Sequence, residues 1–403
     1  MVGMKLPDAA WRHRDGIDRL LDALGAAEGL TRFVGGAVRD TLIGLDAEDV
    51  DCATRLLPED TRNRIVAAGF KAVPTGIAHG TVTAVLPSGP IEVTTLRRDV
   101  ATDGRHAVVA FTDEWREDAA RRDFTINALS ADPLSGEIHD YFGGKEDLAA
   151  GCVRFIGEPL VRIAEDHLRI LRFFRFHARF GQSEPDAAAL AACTARANDL
   201  MALSRERIAD ELLKILALPT PSSAVALMID HAILAPVLPE IESVQPLTAL
   251  EAREKATGVA PDPLRRLAAL LPTDPEVAAD VAARLRLSNR ARRRLVQAAE
   301  RGDGDAGVHA LAYRLGVDGA ADRLLLGADD AEVASALAAI EHWQRPTLPI
   351  GGGDLIAMGL RPGPVVAATL QATERAWIAE GFPPRERVRE LAAQLVGENL
   401  RQP

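Results

Sequence analysis

The sequence predicts an α+β protein, a small mixed-sheet head followed by an elongated all-helical neck, body and tail. Three observations carry that expectation. Short β-rich stretches broken by Gly or Pro turns are confined to residues 31 to about 142. The strand pattern stops at GGKEDLAAG (143–151), and Ala, Leu and Arg fill the remainder of the chain. The 403 residues allow two to four domains at about 150 residues each. Pro-rich breaks at 219–221 and 261–263 and the Gly-rich LPIGGGD at 348–354 punctuate the helical part. The boundaries read from the sequence are 1–150 for the head, 151–220 for the neck, 221–345 for the body and 346–403 for the tail.

Along the chain, IDRLLDAL (17–24) has the spacing of an amphipathic helix, and TRFV (31–34) is a strand. DVDCAT (49–54) reads as a second strand. TVTAVL (81–86) and IEVTTL (91–96) are joined by PSGP, turn chemistry that predicts a hairpin. FTINALSAD (124–132) is the last β-like stretch. Residues 158–218 read as long helices, RIAEDHLRILRFFRFHARF (162–180) being the clearest.

Composition narrows the function classes. Hydrophobic content of 47% with 26% charged residues excludes a mainly disordered chain. Cys52, Cys152 and Cys193 form no CxxC pair, which argues against a zinc knuckle or a disulfide framework. There is no apolar run of 18 residues, and MVGMKLPDAAWRHRDG has no signal-peptide core, so a cytoplasmic location without membrane partners is expected. A net charge of −11 argues against non-specific coating of nucleic acid but leaves room for a local basic face.

The candidate chemistry starts with VGGAVRDTLIG (34–44), where Gly35 and Gly36 follow a strand and open a helix. Adjacent glycines let backbone N–H groups approach a phosphate, although most such pairs are simply turns. Next, Asp49 and Asp51 stand two apart on an expected strand, hence on one face, with Val50 turned to the core. Two carboxylates side by side repel unless a cation lies between them, and hard oxygen ligands suit Mg²⁺. An isolated DxD is more often a solvated strand end. In IEVTTLR (91–97), Glu92 and Thr94 occupy the polar face. If that hairpin lies beside the first strand, Glu92 completes a triad able to hold two metal ions.

GGAVRD (35–40), DVD (49–51), TGIAHGTVT (75–83), RRDFTINA (121–128) and EDHLRILR (165–172) resemble, in order and near spacing, the class II tRNA nucleotidyltransferases. These are the CCA-adding enzymes, with bacterial poly(A) polymerases as close relatives. IHDYFGGKEDLAAGCVRFIG (138–157) is similar to their connector, and SRERIADELLKIL (204–216) to a later neck helix. The resemblance spans roughly residues 30–216, about half the chain. It implies a nucleotidyltransferase head that adds CMP from CTP and AMP from ATP to the tRNA 3′ end without a template, releasing pyrophosphate. Poly(A) addition and partial CC- or A-addition are the alternatives, and a head loop over 98–118 is expected to separate the partial forms.

The implied roles are specific. Asp49, Asp51 and Glu92 are catalytic, with Asp49 and Asp51 holding Mg²⁺. Gly35, Gly36 and Arg39 contact phosphates, and Arg122 has the planar fork that suits a triphosphate. Asp123 and Asn127 distinguish the ribose 2′-OH. Asp166 and Arg169 select the base, with Glu165 positioning them and Arg172 on the same helical stripe. His79 is left out of the catalytic set, because two-metal chemistry needs no histidine base. Residues 284–301 carry seven Arg and one Glu, and Arg290, Arg292, Arg293 and Arg294 are the expected contacts to a folded tRNA. About half of such arginines are expected to be solvated helix face.

Overall fold

The structure, a computed structural model, describes residues 5–47, 49–77, 80–102, 107–182, 184–300, 307–327 and 332–401. His79 lies outside the described residues. Two compact units divide the chain, residues 1–239 and 240–403.

The first unit opens with α1 (Ile17–Ala23), β1 (Thr31–Val34), α2 (Gly36–Leu42), β2 (Asp51–Thr54) and α3 (Pro58–Ala67). Next come β3 (Lys71–Gly76), β4 (Thr81–Leu86), β5 (Gly89–Thr95), β6 (Arg97–Thr102), β7 (Ala107–Phe111) and α4 (Trp115–Ala120). After two short strands, β8 (Ser130–Ala131) and β9 (Ile138–His139), α5 (Gly144–Ala149) leads to the helical part. There the chain forms α6 (Pro159–Glu165), α7 (Arg169–Phe180), α8 (Ala187–Ala195), α9 (Arg205–Leu216) and α10 (Ser222–Asp230).

Seven strands form one mixed sheet in the order β3-β4-β5-β2-β1-β8-β9, and β6 and β7 make a separate hairpin. Strands β4 and β5 form the expected hairpin, with Leu86 opposite Gly89. Alternation in β5 buries Ile91, Val93 and Thr95 and leaves Glu92 exposed. The crossover from β2 makes β5 its parallel neighbour, and this places Asp51 beside Glu92 in register.

Two elements differ from the sequence reading. FTINALSAD is a 3₁₀ turn (Thr125–Asn127) followed by the two-residue β8. The single helix expected over 162–180 is two helices broken at Asp166, whose backbone is extended (φ −152°, ψ 107°). Its carboxylate accepts the N–H of Leu168 at 3.1 Å, so the short acid ends one helix and ties the turn that leads into the next. Below the break, Phe173 and Phe176 of α7 pack on Phe124, and Phe173 also meets Phe155, which seats the helical part against the segment after α4.

The second unit is helical: α11 (Gln245–Thr257), α12 (Pro263–Leu270), α13 (Pro275–Arg284), α14 (Asn289–Ala299), α15 (Val308–Leu326) and α16 (Val333–Ile340). It ends with α17 (Gly352–Ala357), α18 (Pro364–Ala379) and α19 (Arg385–Arg401). The side chains of Asp262, Asp274 and Ser288 accept N–H groups at the starts of α12, α13 and α14. Among the described residues no helix is long and apolar enough to cross a membrane.

A buried ion network holds α11, α12 and α15 together. Glu254 accepts from Arg265 at 2.8 Å and Arg266 at 2.9 Å, and Arg265 also reaches Asp322 at 2.9 Å. Arg266 is 1% exposed. Removing one member strands charges that cannot reach water. Glu254→Ala should therefore lower the stability of the second unit by about 3 to 5 kcal/mol, read as a shift in urea unfolding followed there.

Candidate active site

A cleft of about 600 Å³ in the first unit gathers most of the expected residues. It is lined by Gly35, Gly36, Arg39, Asp49, Asp51, Arg122, Asp123, Asn127, Asp166, Arg169 and Arg172, joined by Arg175 and Phe176. The last two were not singled out from sequence. They stand three and four residues after Arg172, a helical spacing that places them on its face.

At the strand end of the cleft, Asp51 opens β2 and Asp49 sits in the bend before it, not on the strand as expected. Val50 between them is buried, so both acids still turn to the cleft. Burial pushes the Asp51 carboxyl up to about 6; the charges of Glu92 and Asp49 add to this, and Arg122 opposes it. Glu92 stays exposed and is not part of the cleft wall. Among the described residues no three His, Cys, Asp or Glu side chains come together to hold an ion. Asp49 and Asp51 line the cleft, and Glu92 stands beside Asp51 as its in-register partner on β5. A pair of carboxylates still suits Mg²⁺, which keeps water and substrate phosphates in the rest of its shell.

Gly35 makes the turn from β1 into α2 with φ +69°, and a Cβ there would stand 3.3 Å from Nη1 of Arg122. Only glycine fits both the backbone and the close arginine. Arg39 lies along the cleft stacked on Phe180 at 4.2 Å, and its N–H groups go to Asp40 (2.7 Å) and Asn127 Oδ1 (2.5 Å). Asn127 donates to Asp123 at 2.9 Å, and Asp123 accepts from Arg172 at 2.7 Å. These residues form one connected line from α2 to α7. Asp40 closes it through Arg179 at 3.0 Å.

The Arg121–Arg122 turn is held from two sides. Arg162 and Arg169 donate to the carbonyl of Arg121 at 2.6 and 3.1 Å, and Glu165 accepts from both arginines. Glu165 thus braces Arg162 and Arg169 together. Asp166 and Arg169, expected on one helical stripe, are not paired here. The helix break turns Asp166 toward Arg207 of α9 (2.9 Å), while Arg169 points to Glu165. Arg175 is bound to Glu211, also on α9. Neither α9 residue was singled out, because an acid or base on a helix face gives no sequence signal by itself.

In the second unit the four arginines of α14 separate. Arg292 and Arg293 are exposed and line a groove of about 740 Å³ with Asn289, Val296, Gln297, Ala279 and Glu300. Arg290 is exposed, 3.9 Å from Asp318. Arg294 corrects the expectation of an RNA contact: it points inward to Asp322 (2.8 Å) and Asp262 (2.9 Å). Its position four residues after Arg290 puts it where α14 meets α12 and α15.

Comparison with known proteins adds family evidence. Residues 31–154 match the poly A polymerase head domain, and 184–245 match the probable RNA and SrmB-binding site of polymerase A. The chain is 33% identical over 367 residues to CCA tRNA nucleotidyltransferase 1, mitochondrial, of Homo sapiens, covering 87% of this chain and 83% of that protein. The protein of the same name from Danio rerio is 47% identical over 207 residues, half of this chain and 47% of that protein. A crystal structure of the Bacillus stearothermophilus CCA-adding enzyme in complex with CTP superposes with a TM-score of 0.69 at 27% identity, covering 95% of this chain and 97% of that one.

The crowding at Asp51 has a measurable consequence. A carboxyl raised from 3.8 to about 6 binds its proton more tightly folded than unfolded. It therefore weakens the fold above pH 6, and stability returns as pH falls from 6 toward 4. In metal-free buffer at pH 8, Asp51→Asn should stabilise the protein by on the order of 1 to 3 kcal/mol, seen as a higher melting temperature. The gap should close by pH 4. A variant less stable than the parent at pH 8 would contradict the crowding.

Proposed function

Because the chain belongs to the CCA tRNA nucleotidyltransferase family, we propose that it adds CMP and AMP to the tRNA 3′ end, using CTP and ATP and releasing pyrophosphate. One observation carries the site assignment: two carboxylates and the arginine, amide and glycine set expected for a nucleotide line a single cleft.

The 3′ oxygen of the RNA bonds to the α-phosphorus as the bond to the pyrophosphate oxygen breaks. Asp49 and Asp51 are the residues that would hold Mg²⁺, with substrate phosphates completing its shell. A divalent ion bound there favours the ionised hydroxyl and offsets charge on the phosphates. Arg122 and the Gly35–Gly36 turn bind the triphosphate, Arg39 standing behind them on Asn127. Asp123 and Asn127 face the ribose. Base selection is assigned to Asp166 and Arg169, fixed from outside by Arg207 and Glu165. A cytosine or adenine amino group finds a carboxylate there, and the wrong base leaves a polar group unpaired. Arg290, Arg292 and Arg293 are assigned to the tRNA backbone. The cytoplasm remains the proposed location, in keeping with three cysteines that form no disulfide framework, and the vertebrate relatives carry mitochondrial in their names.

Offering tRNA that ends before CCA with each labelled NTP separates the product classes. Two C then one A is expected, whereas long A tracts would identify a poly(A) polymerase. Asp49→Ala and Asp51→Ala should abolish transfer and leave the tRNA dissociation constant within about twofold, since neither is among the arginines assigned to the tRNA backbone. Full activity in either would end the assignment. Arg292→Ala with Arg293→Ala should weaken tRNA binding and reduce its log–log salt slope by about 1 per arginine. Arg294→Ala should instead lower thermal stability, and an unaltered salt slope in the double variant would exclude the groove.

A further inference from the structure

We propose that Asp118 is a positioning residue for nucleotide binding, fixing Arg122 toward the cleft and tying it to the root of the β6–β7 hairpin. The assignment rests on Arg122 being a triphosphate contact.

Asp118 lies on α4, three and four residues before Arg121 and Arg122, and is 4% exposed. One carboxylate oxygen accepts Nε of Arg121 at 2.9 Å and the backbone N–H of Arg97 at 3.2 Å. The other accepts Nη2 of Arg122 at 3.5 Å. Arg97 is the first residue of β6. A single buried carboxylate thus joins the start of the hairpin to both arginines of the turn. Burial alone would raise this carboxyl, yet the charges of Arg122 and Arg121 keep it below the ordinary carboxylate range. It is an anion in any neutral buffer.

Arg122 stands on the far side of this carboxylate. Its Nη1 donates to the Asn127 carbonyl at 3.3 Å and approaches Gly35, and its charge is felt at Asp51. A free arginine side chain has many rotamers, and freezing it on binding costs conformational entropy. Holding Nη2 from behind removes much of that cost before the nucleotide arrives and leaves the other N–H groups facing the phosphates. The long 3.5 Å contact suits this role, since the arginine is oriented without being neutralised by a tight bidentate pair. Asp118 does not line the cleft, so it acts through Arg122.

The test is a double-mutant cycle on the full chain, reading KM and kcat for CTP and ATP together with melting temperature and tRNA affinity. Asp118→Asn is expected to raise the nucleotide KM about tenfold with kcat reduced less, and Arg122→Ala to raise it further. In the Arg122→Ala background, Asp118→Asn should add less than twofold. A tenfold loss that persists in that background would show a merely structural role and overturn the proposal. So would an unchanged KM in Asp118→Asn while Arg122→Ala is impaired. An unchanged KM in Arg122→Ala would instead remove the triphosphate role of Arg122, and this inference with it. Should Asp118→Asn fail to fold, Asp118→Glu, which keeps the charge but displaces it, replaces it in the cycle with the same two outcomes.

Discussion

The site depends on an unfavourable interaction. Asp51 is half-buried at the start of β2, its strand neighbour across the sheet is Glu92, and Asp49 stands two residues before it. Burial and two nearby anions all oppose its charge, and Arg122 is the cation that counters them. Solvated or apolar residues there would cost the fold nothing. A cluster of like charges kept beside a cleft is an arrangement suited to a positive partner.

Charge pairing also lets five arginines share one cleft without driving it apart. Arg39 has Asp40, Arg122 has Asp118, Arg169 has Glu165, Arg172 has Asp123 and Arg175 has Glu211. Asp40, Asp118, Glu165 and Glu211 hold their arginines from outside the cleft lining and Asp123 from within it, so the guanidinium groups are already oriented. Binding a triphosphate then requires little reorganisation, and the selectivity lies in geometry more than in net charge.

Much of the head was legible because strands alternate with period two and turns carry distinct chemistry. The β4–β5 hairpin and the Gly35–Gly36 turn come from those signals, as does the polar face of Glu92. The parallel pairing of β5 with β2 is set by a crossover that no local pattern encodes. The misreadings share one cause. EDHLRILR has helical spacing throughout, yet Asp166 leaves the helix because its carboxylate satisfies the Leu168 N–H and is drawn to Arg207, 41 residues away in sequence. Arg294 reads like its neighbours on a basic helix and turns inward because Asp262 and Asp322 wait for it. Long-range ion pairs leave no trace in a short window of sequence. Asp118, Arg207 and Glu211, the posts behind the functional arginines, were missed for that reason.

The acidic net charge then acquires a physical meaning. Arginine in this chain performs two separable tasks, and a carboxylate decides which. Where an acid lies behind the guanidinium inside the protein, as at Arg265, Arg266 and Arg294, the residue is mortar between helices. Where the acid holds one edge and the other edge meets a cleft, as at Arg122 and Arg172, the residue is oriented but still faces the opening. Where no carboxylate pairs with it among the described residues and the side chain is exposed, as at Arg292 and Arg293, it is available to a polyanion at long range and is sensitive to salt. An excess of Asp and Glu is therefore compatible with an RNA substrate, because acids around the cleft hold its arginines and the exposed arginines of α14 stand apart from them.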